Sequence, residues 1–524
     1  MATPPPPPRA YRAACPNCGA PVDFRSAASA FAVCSFCKSV LARDGAALRR
    51  IGTAAELFAD YSPLQLGASG RFANAPFTVV GRTQYAYDGG VWSEWQVWFD
   101  AGRSGWLSED NGRYVMAFAA PWPGTPPDPA RLRVGSELSV GGRTWTVTAS
   151  VQARIGALEG ELANAPPAGP LRIVELRDPV DAVATLEYAA SGAPRSFVGR
   201  PVDLDGLLMQ GLRAEAAARP VAARSAPCPQ CGAALTPTLS STKTIVCSQC
   251  HAVVDVSQGL GGDLAYYVQH NGGEGALHAQ TELGTTATLA LGGAAEPWQV
   301  VGYAERGTVP GPGDDEVEFW REYLLFHRTR GFAFLVDAND GWSWTATITG
   351  SPVEGAHRTV QWQGSSYREL YRYTGRVTYV LGEFYWQLAQ GETTHNVDFA
   401  DPSGRKRLNR EQTGEIVWSA GETLDAATVA RAFGLADPAP LQRDTLPVQW
   451  AQSHGRTLLI GAIAIVLLIA ILSECSSDAC RDVRTAYGPQ SNEYRSCVRS
   501  TGSGAAYRSA GGAFGGFGAG GGHK

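Results

Sequence analysis

The sequence predicts a mainly β protein: two cysteine ribbons, each followed by an antiparallel β domain, plus one C-terminal transmembrane helix. Three observations carry that prediction. A four-cysteine pattern occurs twice, as Cys15-Pro-Asn-Cys18 with Cys34-Ser-Phe-Cys37 and as Cys228-Pro-Gln-Cys231 with Cys247-Ser-Gln-Cys250, with the same fifteen-residue gap in both copies. Gly (61), Pro (33) and Trp (14) are abundant and Met (3) is scarce, which suits short aromatic strands broken by turns better than long helices. Finally, Thr457 to Leu472 is an apolar run without a charge, bracketed by Arg456 and Glu474.

The chain of 524 residues has room for several domains, and a hydrophobic content of 44% is ordinary for material that buries cores. With 44 basic against 49 acidic residues and a formal net charge of -5, it offers no strongly basic field for a phosphate backbone, so nucleic acid is not an expected partner. Eight of the eleven cysteines lie in the paired motifs, and Cys475, Cys480 and Cys497 follow the apolar run. That partition suggests two redox environments. The N-terminus carries no apolar core of the kind a secretory signal needs, which places the bulk of the chain in the cytosol.

In chain order, residues 1–12 read as a Pro-rich leader around Pro4 to Pro8, a solvated extended tail. Residues 13–45 form the first ribbon, and Ala46 to Tyr61 reads as a short helix. The first β domain, 62–212, is marked by apolar runs such as Phe77 to Gly81, Trp92 to Phe99, Arg113 to Phe118, Arg143 to Thr148 and Leu171 to Leu176, spaced for antiparallel meanders. Trp92 to Phe99 carries aromatics on both faces, so it is expected to be a central strand covered on both sides.

Residues 213–226 read as a linker, after which the pattern restarts with the second ribbon at 227–256 and the second β domain at 264–435. The repeat extends beyond the cysteines. Phe77-Thr78-Val79-Val80-Gly81 answers to Trp298-Gln299-Val300-Val301-Gly302, Trp92-Ser93-Glu94-Trp95 to Trp320-Arg321-Glu322-Tyr323, Gly105-Trp106 to Gly331-Phe332, and Asp205 to Asp425. This is a tandem duplication. Residues 456–473 are the predicted transmembrane helix, whose uncharged run Thr457 to Leu472 is about 25 Å long at helical rise. A Cys-containing hairpin at 474–500 and a Gly-rich disordered tail at 501–524 complete the chain.

The cysteine spacing is a metal signal, because zinc takes four thiolates in a tetrahedron and each Cys-x-x-Cys knuckle supplies two from one tight turn. Cys15, Cys18, Cys34 and Cys37 are expected to hold one structural Zn2+, and Cys228, Cys231, Cys247 and Cys250 a second. Gly19 and Gly232 suit the tight backbone after a knuckle, and four thiolates leave no open position for catalysis. Arg25 and Lys243 are the sole basic residues between the outer cysteines of each ribbon, too few for a phosphate surface.

No catalytic constellation is legible, so the chain reads as non-enzymatic. All eight histidines lie beyond Cys250, which excludes a His-dependent mechanism from the first repeat. The acidic residues common to both repeats are Glu94 with Glu322 and Asp205 with Asp425. The glutamates read as cross-strand partners of arginines such as Arg82 or Arg328, and the aspartates as helix N-caps before Gly206 to Leu212 and Ala426 to Phe433. Trp298, Trp320, Trp342, Trp344, Trp362, Tyr371, Tyr373, Tyr379, Tyr385 and Trp386 read as core rather than a ligand groove.

On Val79-Val80-Gly81, Trp92-Ser93-Glu94-Trp95 and Gly105-Trp106-Leu107, with a looser second set at Val300-Val301-Gly302, Trp320-Arg321-Glu322-Tyr323 and Gly331-Phe332, the two β regions resemble the bacterial domain-of-unknown-function family 4178, over roughly 65 to 205 and 280 to 425. The resemblance implies a mainly β bacterial domain often accompanied by ribbons or membrane segments, and it brings no catalytic residues. The expected protein is a single-pass protein of the bacterial inner membrane, a non-catalytic scaffold or sensor whose partners are the lipid bilayer and membrane-associated proteins. Eight zinc thiolates need a reducing compartment, which puts the bulk of the chain in the cytoplasm and the tail outside. The alternatives are an enzyme with an acidic site in the β domains, and nucleic-acid binding through the ribbons.

Overall fold

The computed structural model describes residues 11–24, 31–44, 47–53, 62–87, 90–100, 102–110, 112–213, 225–239, 242–256, 264–269, 279–311, 317–388 and 391–435, with 485, 486, 488 and 490. Two compact units divide the chain, Met1–Gln442 with Ala513–Lys524, and Arg443–Gly512. Both repeats belong to the first unit. Most of the Pro-rich leader, of the linker and of the cysteine hairpin lies outside the described residues, as do the apolar run at 456–473 and the Gly-rich tail. Among the described residues, no helix is long and apolar enough to cross a membrane.

The first β domain is built from β1 (Ala75–Tyr87), β2 (Gly90–Phe99), β3 (Ser104–Asp110), β4 (Arg113–Ala119), β5 (Arg143–Leu162), β6 (Leu171–Arg177), β7 (Val183–Ala189) and β8 (Arg195–Val202). Two four-stranded meanders, β1 to β4 and β5 to β8, join along two seams, β4 with β8 and β1 with β5. Every pairing is antiparallel, and the order β1-β2-β3-β4-β8-β7-β6-β5 returns to β1. The expected meanders are therefore halves of a closed eight-stranded barrel.

The second β domain repeats this with β9 (Ala295–Thr308), β10 (Phe319–His327), β11 (Gly331–Ala338), β12 (Gly341–Ile348), β13 (Ser365–Phe384), β14 (Thr393–Ala400), β15 (Lys406–Gln412) and β16 (Ile416–Leu424). Its ring closes at the same two seams, β12 with β16 and β9 with β13. A helix, α1 (Ala426–Ala432), follows β16.

The long strands β5 and β13, of twenty residues each, make closure possible. β5 pairs with β6 through Thr146 to Ala153 and then with β1 through Arg154 to Gly160, with one bulge inside each pairing, between Val147 and Ala149 and between Ile155 and Ala157. Bulges are how a sheet turns a corner. At the β1/β5 seam the strands approach so closely that a Cβ on Gly81 would stand 1.8 Å from the Glu161 carbonyl oxygen, and at the β9/β13 seam one on Gly302 would stand 2.7 Å from that of Glu383. This explains the glycine of the repeated Val-Val-Gly motif.

The barrel wall has apolar layers outside it. Trp95, Val97, Phe99, Leu107 and Met116 point away from the lumen and are covered by Leu64, Ala68, Leu204 and Leu207. In the second repeat, Tyr323, Leu325, Leu335 and Trp342 are covered by Ala287, Leu289 and the α1 residues Val429 and Ala430. β2 is thus covered on both sides, as expected. Of the aromatics assigned to the core, Trp298, Trp320, Trp342, Trp362, Tyr385 and Trp386 are buried, whereas Trp344 is half-buried.

Three expectations need correction. Ala47–Thr53 is a strand paired with Ser39–Asp44, not a helix; residues 54–61 lie outside the described residues. Trp106 pairs with Gln96 as Phe334 pairs with Leu324, so Gly105-Trp106 corresponds to Ala333-Phe334. Val202 pairs with Tyr114 as Leu424 pairs with Trp342, which makes Asp203 the counterpart of Asp425.

Candidate metal centres and the barrel lumens

Each ribbon is two knuckles facing one another. In all four, the first cysteine accepts a hydrogen bond through its carbonyl from the residue after the second cysteine: Gly19 to Cys15 (2.8 Å), Lys38 to Cys34 (3.0 Å), Gly232 to Cys228 (2.8 Å) and His251 to Cys247 (2.9 Å). The donors all have positive φ, with Gly19 at 74° and Gly232 at 78° as anticipated, and Lys38 and His251 both at 57°. The knuckle turn itself demands that conformation.

The sulfurs lie 3.6 Å apart for Cys15 and Cys37, and 3.7 Å for Cys18 with Cys34, Cys228 with Cys250, and Cys231 with Cys247. A tetrahedral ion with metal–sulfur bonds of about 2.3 Å has sulfur–sulfur edges of roughly 3.8 Å, against about 2.05 Å in a disulfide. Both tetrads fit an ion, and among the described residues they are the Cys, His and acidic clusters that could hold one. The Ser39 hydroxyl, 3.2 Å from Cys37 Sγ, leads the hydrogen bonds that bring this thiol down to about 5. Such a group is readily the thiolate a metal requires.

The ribbons dock on the barrels by extending their sheets. Phe31 and Ala32 pair with Leu162 and Glu161 at the end of β5, and Thr244 and Ile245 pair with Phe384 and Glu383 at the end of β13. The Glu383 carboxylate is the socket for the second ribbon, accepting from Thr238 N, Thr238 Oγ1, Leu239 N and Thr242 Oγ1 at 2.5–3.1 Å. Lys243 of that ribbon also reaches back to the first barrel, 3.4 Å from the Tyr87 hydroxyl.

The acidic candidates Glu94 and Glu322 face the lumens of separate barrels. Each sits in a Trp-x-Glu unit whose indole donates to the glutamate, Trp92 Nε1 to Glu94 Oε1 at 3.4 Å and Trp320 Nε1 to Glu322 Oε1 at 2.6 Å. Their expected arginine partners are wrong. Arg82 donates to Ser93 Oγ on the outer face, and Arg328 donates to the Arg213 carbonyl. The cation beside Glu322 is Arg306 of β9, its Nε 3.4 Å from Glu322 Oε2. Burial pushes Glu322 upward against the opposing effect of Arg306.

Arg306 also stands 3.9 Å from Glu411 Oε1 on β15 and donates to Thr394 Oγ1 on β14. Asp398 accepts from Asn409 Nδ2 at 2.7 Å beside them. In the first lumen Tyr85 takes the position of Arg306, stacked on Trp92 with centroids 4.8 Å apart. There Glu187, the counterpart of Glu411, pairs with Arg195 of β8. Sequence reasoning missed Arg195, Arg306, Glu187 and Glu411. The available signal was the alternation Thr394-x-Asn396-x-Asp398 and Asn409-x-Glu411, which also describes a solvent face.

Asp425 is the N-cap of α1, its side chain accepting from Thr428 N at 3.2 Å. Asp205 caps no helix; Leu204 to Leu208 is a turn. Asp205 instead lines a cleft of about 390 Å³ where the repeats meet, together with Asp203, Trp344, Lys406 and Glu422. Its walls carry both signs of charge, so its chemistry favours no ligand class.

The fold and these sites define a tandem-barrel protein in which each barrel is headed by a four-cysteine, metal-competent ribbon. The family model for a domain of unknown function (DUF4178) matches residues 65–204 and 292–426, slightly more than half of the chain. The chain belongs to that family and carries two copies of its domain. No curated protein and no solved structure matches it.

Proposed function

We propose that the protein is a non-catalytic scaffold or sensor of the bacterial inner membrane. In this reading two zinc-clasped barrels stand on the cytoplasmic side, held to the bilayer by residues 456–473 and engaging membrane-associated proteins. The observation that carries the non-catalytic part is the closure of the two metal tetrads and of the lumens that hold the repeated glutamates. Four thiolates fill the coordination of a tetrahedral ion, and the repeated glutamates are sealed inside separate barrels with Glu94 and Glu322 buried. Zinc is the ion because it takes four thiolates in a tetrahedron and has no redox chemistry to support.

Membrane attachment is supported by the uncharged run Thr457 to Leu472. Eight thiolates favour a reducing compartment for the ribbons, and Cys475, Cys480 and Cys497 would then lie on the opposite side. The test is labelling of intact cells with a membrane-impermeant maleimide after mild reduction. Labelling confined to those three cysteines, in protein that carbonate does not strip from membranes, supports the reading. Recovery in the soluble fraction, or ribbon labelling in intact cells, overturns it.

A further inference from the structure

We infer that the lumen of the second barrel is a proton-binding site, in which one of the two glutamates beside Arg306, Glu322 and Glu411, carries a proton while the other balances the guanidinium. Glu322, Asp398 and Glu411 are 0%, 0% and 1% exposed, and Arg306 is 2% exposed. Three carboxylates thus meet one guanidinium inside a closed wall. Burying carboxylate charge without a counter-charge is costly enough that a buried acid takes up a proton instead.

The groups facing the pair come from five strands and the approach to one of them. Arg306 is on β9, Trp320 on β10, Tyr373 on β13, Thr394, Asn396 and Asp398 on β14, and Asn409 on β15. Glu392, just before β14, adds to the negative charge felt by Arg306. Asp398 Oδ1 accepts from Asn409 Nδ2 at 2.7 Å, and Tyr373 is pushed far above its ordinary range by burial, so it brings no charge. Arg407, also lumen-facing, pairs with Asp340 at 3.2 Å, four residues and roughly 13 Å along β15 from Glu411. Arg306 stands 3.4 Å from one glutamate and 3.9 Å from the other. A single guanidinium can offset the charge of only one of these two glutamates, which leaves the other to take up a proton.

The site is a property of the second repeat. At the equivalent positions the first lumen has Tyr85 for Arg306, Ile173 for Asn396 and Val151 for Tyr373, and Glu187 has its own arginine, Arg195. The sign of the pH effect follows. At any pH between the ordinary glutamate value and the raised folded value, the folded state binds one proton more than the unfolded state. Stability is therefore full below the ordinary value and declines as pH rises through that window.

Infrared spectra of the detergent-solubilised full chain at neutral pH test this directly. The difference spectra of the native chain against Glu322→Gln and against Glu411→Gln should each show the C=O stretch of one neutral carboxylic acid, lost in the variant. Asp340→Asn should leave that band in place. The downward slope of Tm with rising pH should flatten in both glutamine variants. The same C=O band in the native chain should disappear when the chain unfolds at neutral pH, because an exposed glutamate ionises there, a readout that needs no variant to fold. Absence of the infrared band from the native chain together with no downward slope of Tm with rising pH overturns the site.

Discussion

The two repeats share one wall and differ in what they enclose. Strand order, both seams, the bulge after the first residues of β5 and β13, the Trp-x-Glu unit and the second lumen glutamate recur in both. The contents do not. Around Glu94 and Glu187 the first lumen packs Tyr85, Trp92, Ala153, Leu171 and Ile173 as an apolar cluster. Around Glu322 and Glu411 the second places Arg306, Asn396 and Asn409. A closed barrel is held by its hydrogen-bond ring and its outer apolar layers, so the lumen can change polarity while the fold persists. The ribbons diverge in the same manner. The knuckles match, and a buried glutamate, Glu161 or Glu383, stands where each ribbon pairs with its barrel, but the second ribbon reaches the other barrel through Lys243, and the first carries an exposed Phe36 (73%) where the second has Gln249.

The largest expected effect separates the ribbons. Structural ions of this type contribute on the order of 10 kcal/mol to folding their modules. Cys247→Ser should halve the bound metal and remove hydrogen-exchange protection from 225–256, together with protection at Glu383 and at Tyr87 of the first barrel. Cys34→Ser should also halve the metal but confine its loss to the first ribbon and the end of β5. Equal spreading from both would mean the second ribbon is no joint.

The barrels can be broken unequally at one seam. Gly81→Ala puts a Cβ 1.8 Å from the Glu161 carbonyl oxygen, and Gly302→Ala puts one 2.7 Å from that of Glu383. The first should cost more than about 4 kcal/mol and the second about 2 kcal/mol by urea denaturation. A reversed order would show that the first seam relaxes more easily.

A smaller contrast lies in the lumens. Arg306→Met leaves the charged member of the Glu322–Glu411 pair buried without its cation and should cost about 3 kcal/mol. Arg195→Met removes a partner whose side chain is 37% exposed, so about 1 kcal/mol is expected in the first barrel. Circular dichroism melts at neutral pH resolve the difference, and lowering the pH should rescue the Arg306 variant by protonating Glu322 and Glu411.

Much of this architecture was legible in the sequence because it rests on short-range signals. Knuckle spacing fixed the tetrads, and turn residues between aromatic runs fixed the strands. Ring closure was not legible, since the pairing of β1 with the far half of β5 links residues about eighty apart and leaves no local trace. Without closure, a strand such as Thr393–Ala400 reads as apolar on one side and wet on the other. Closure turns the polar side into a buried interior, and for that reason the lumen charges were missed and Arg82 and Arg328 were assigned in place of Arg306. The helix expected after the first ribbon failed similarly: Ala47–Thr53 is drawn into a hairpin by Ser39–Asp44, tertiary context overriding a weak local preference.

The smallest effect tests whether the second ribbon is a joint between repeats or only a cap on its own barrel. Lys243 is buried, its ammonium 5.5 Å from the Tyr87 ring centroid and 3.4 Å from the hydroxyl. The residue at the same spacing before Cys34 is Ala30, which has no cation to offer. Desolvated cation–π pairs contribute about 1–2 kcal/mol. Lys243→Ala should therefore lower global stability by no more than this. Its backbone bonds to Phe384 and Val256 remain, and metal content should be unchanged. The specific readout is the exchange rate at Tyr87 on the first barrel, more than 150 residues away in the chain. Faster exchange there, restored in part by Lys243→Arg, marks a joint between the repeats. A change confined to 242–256 would reduce the second ribbon to a cap.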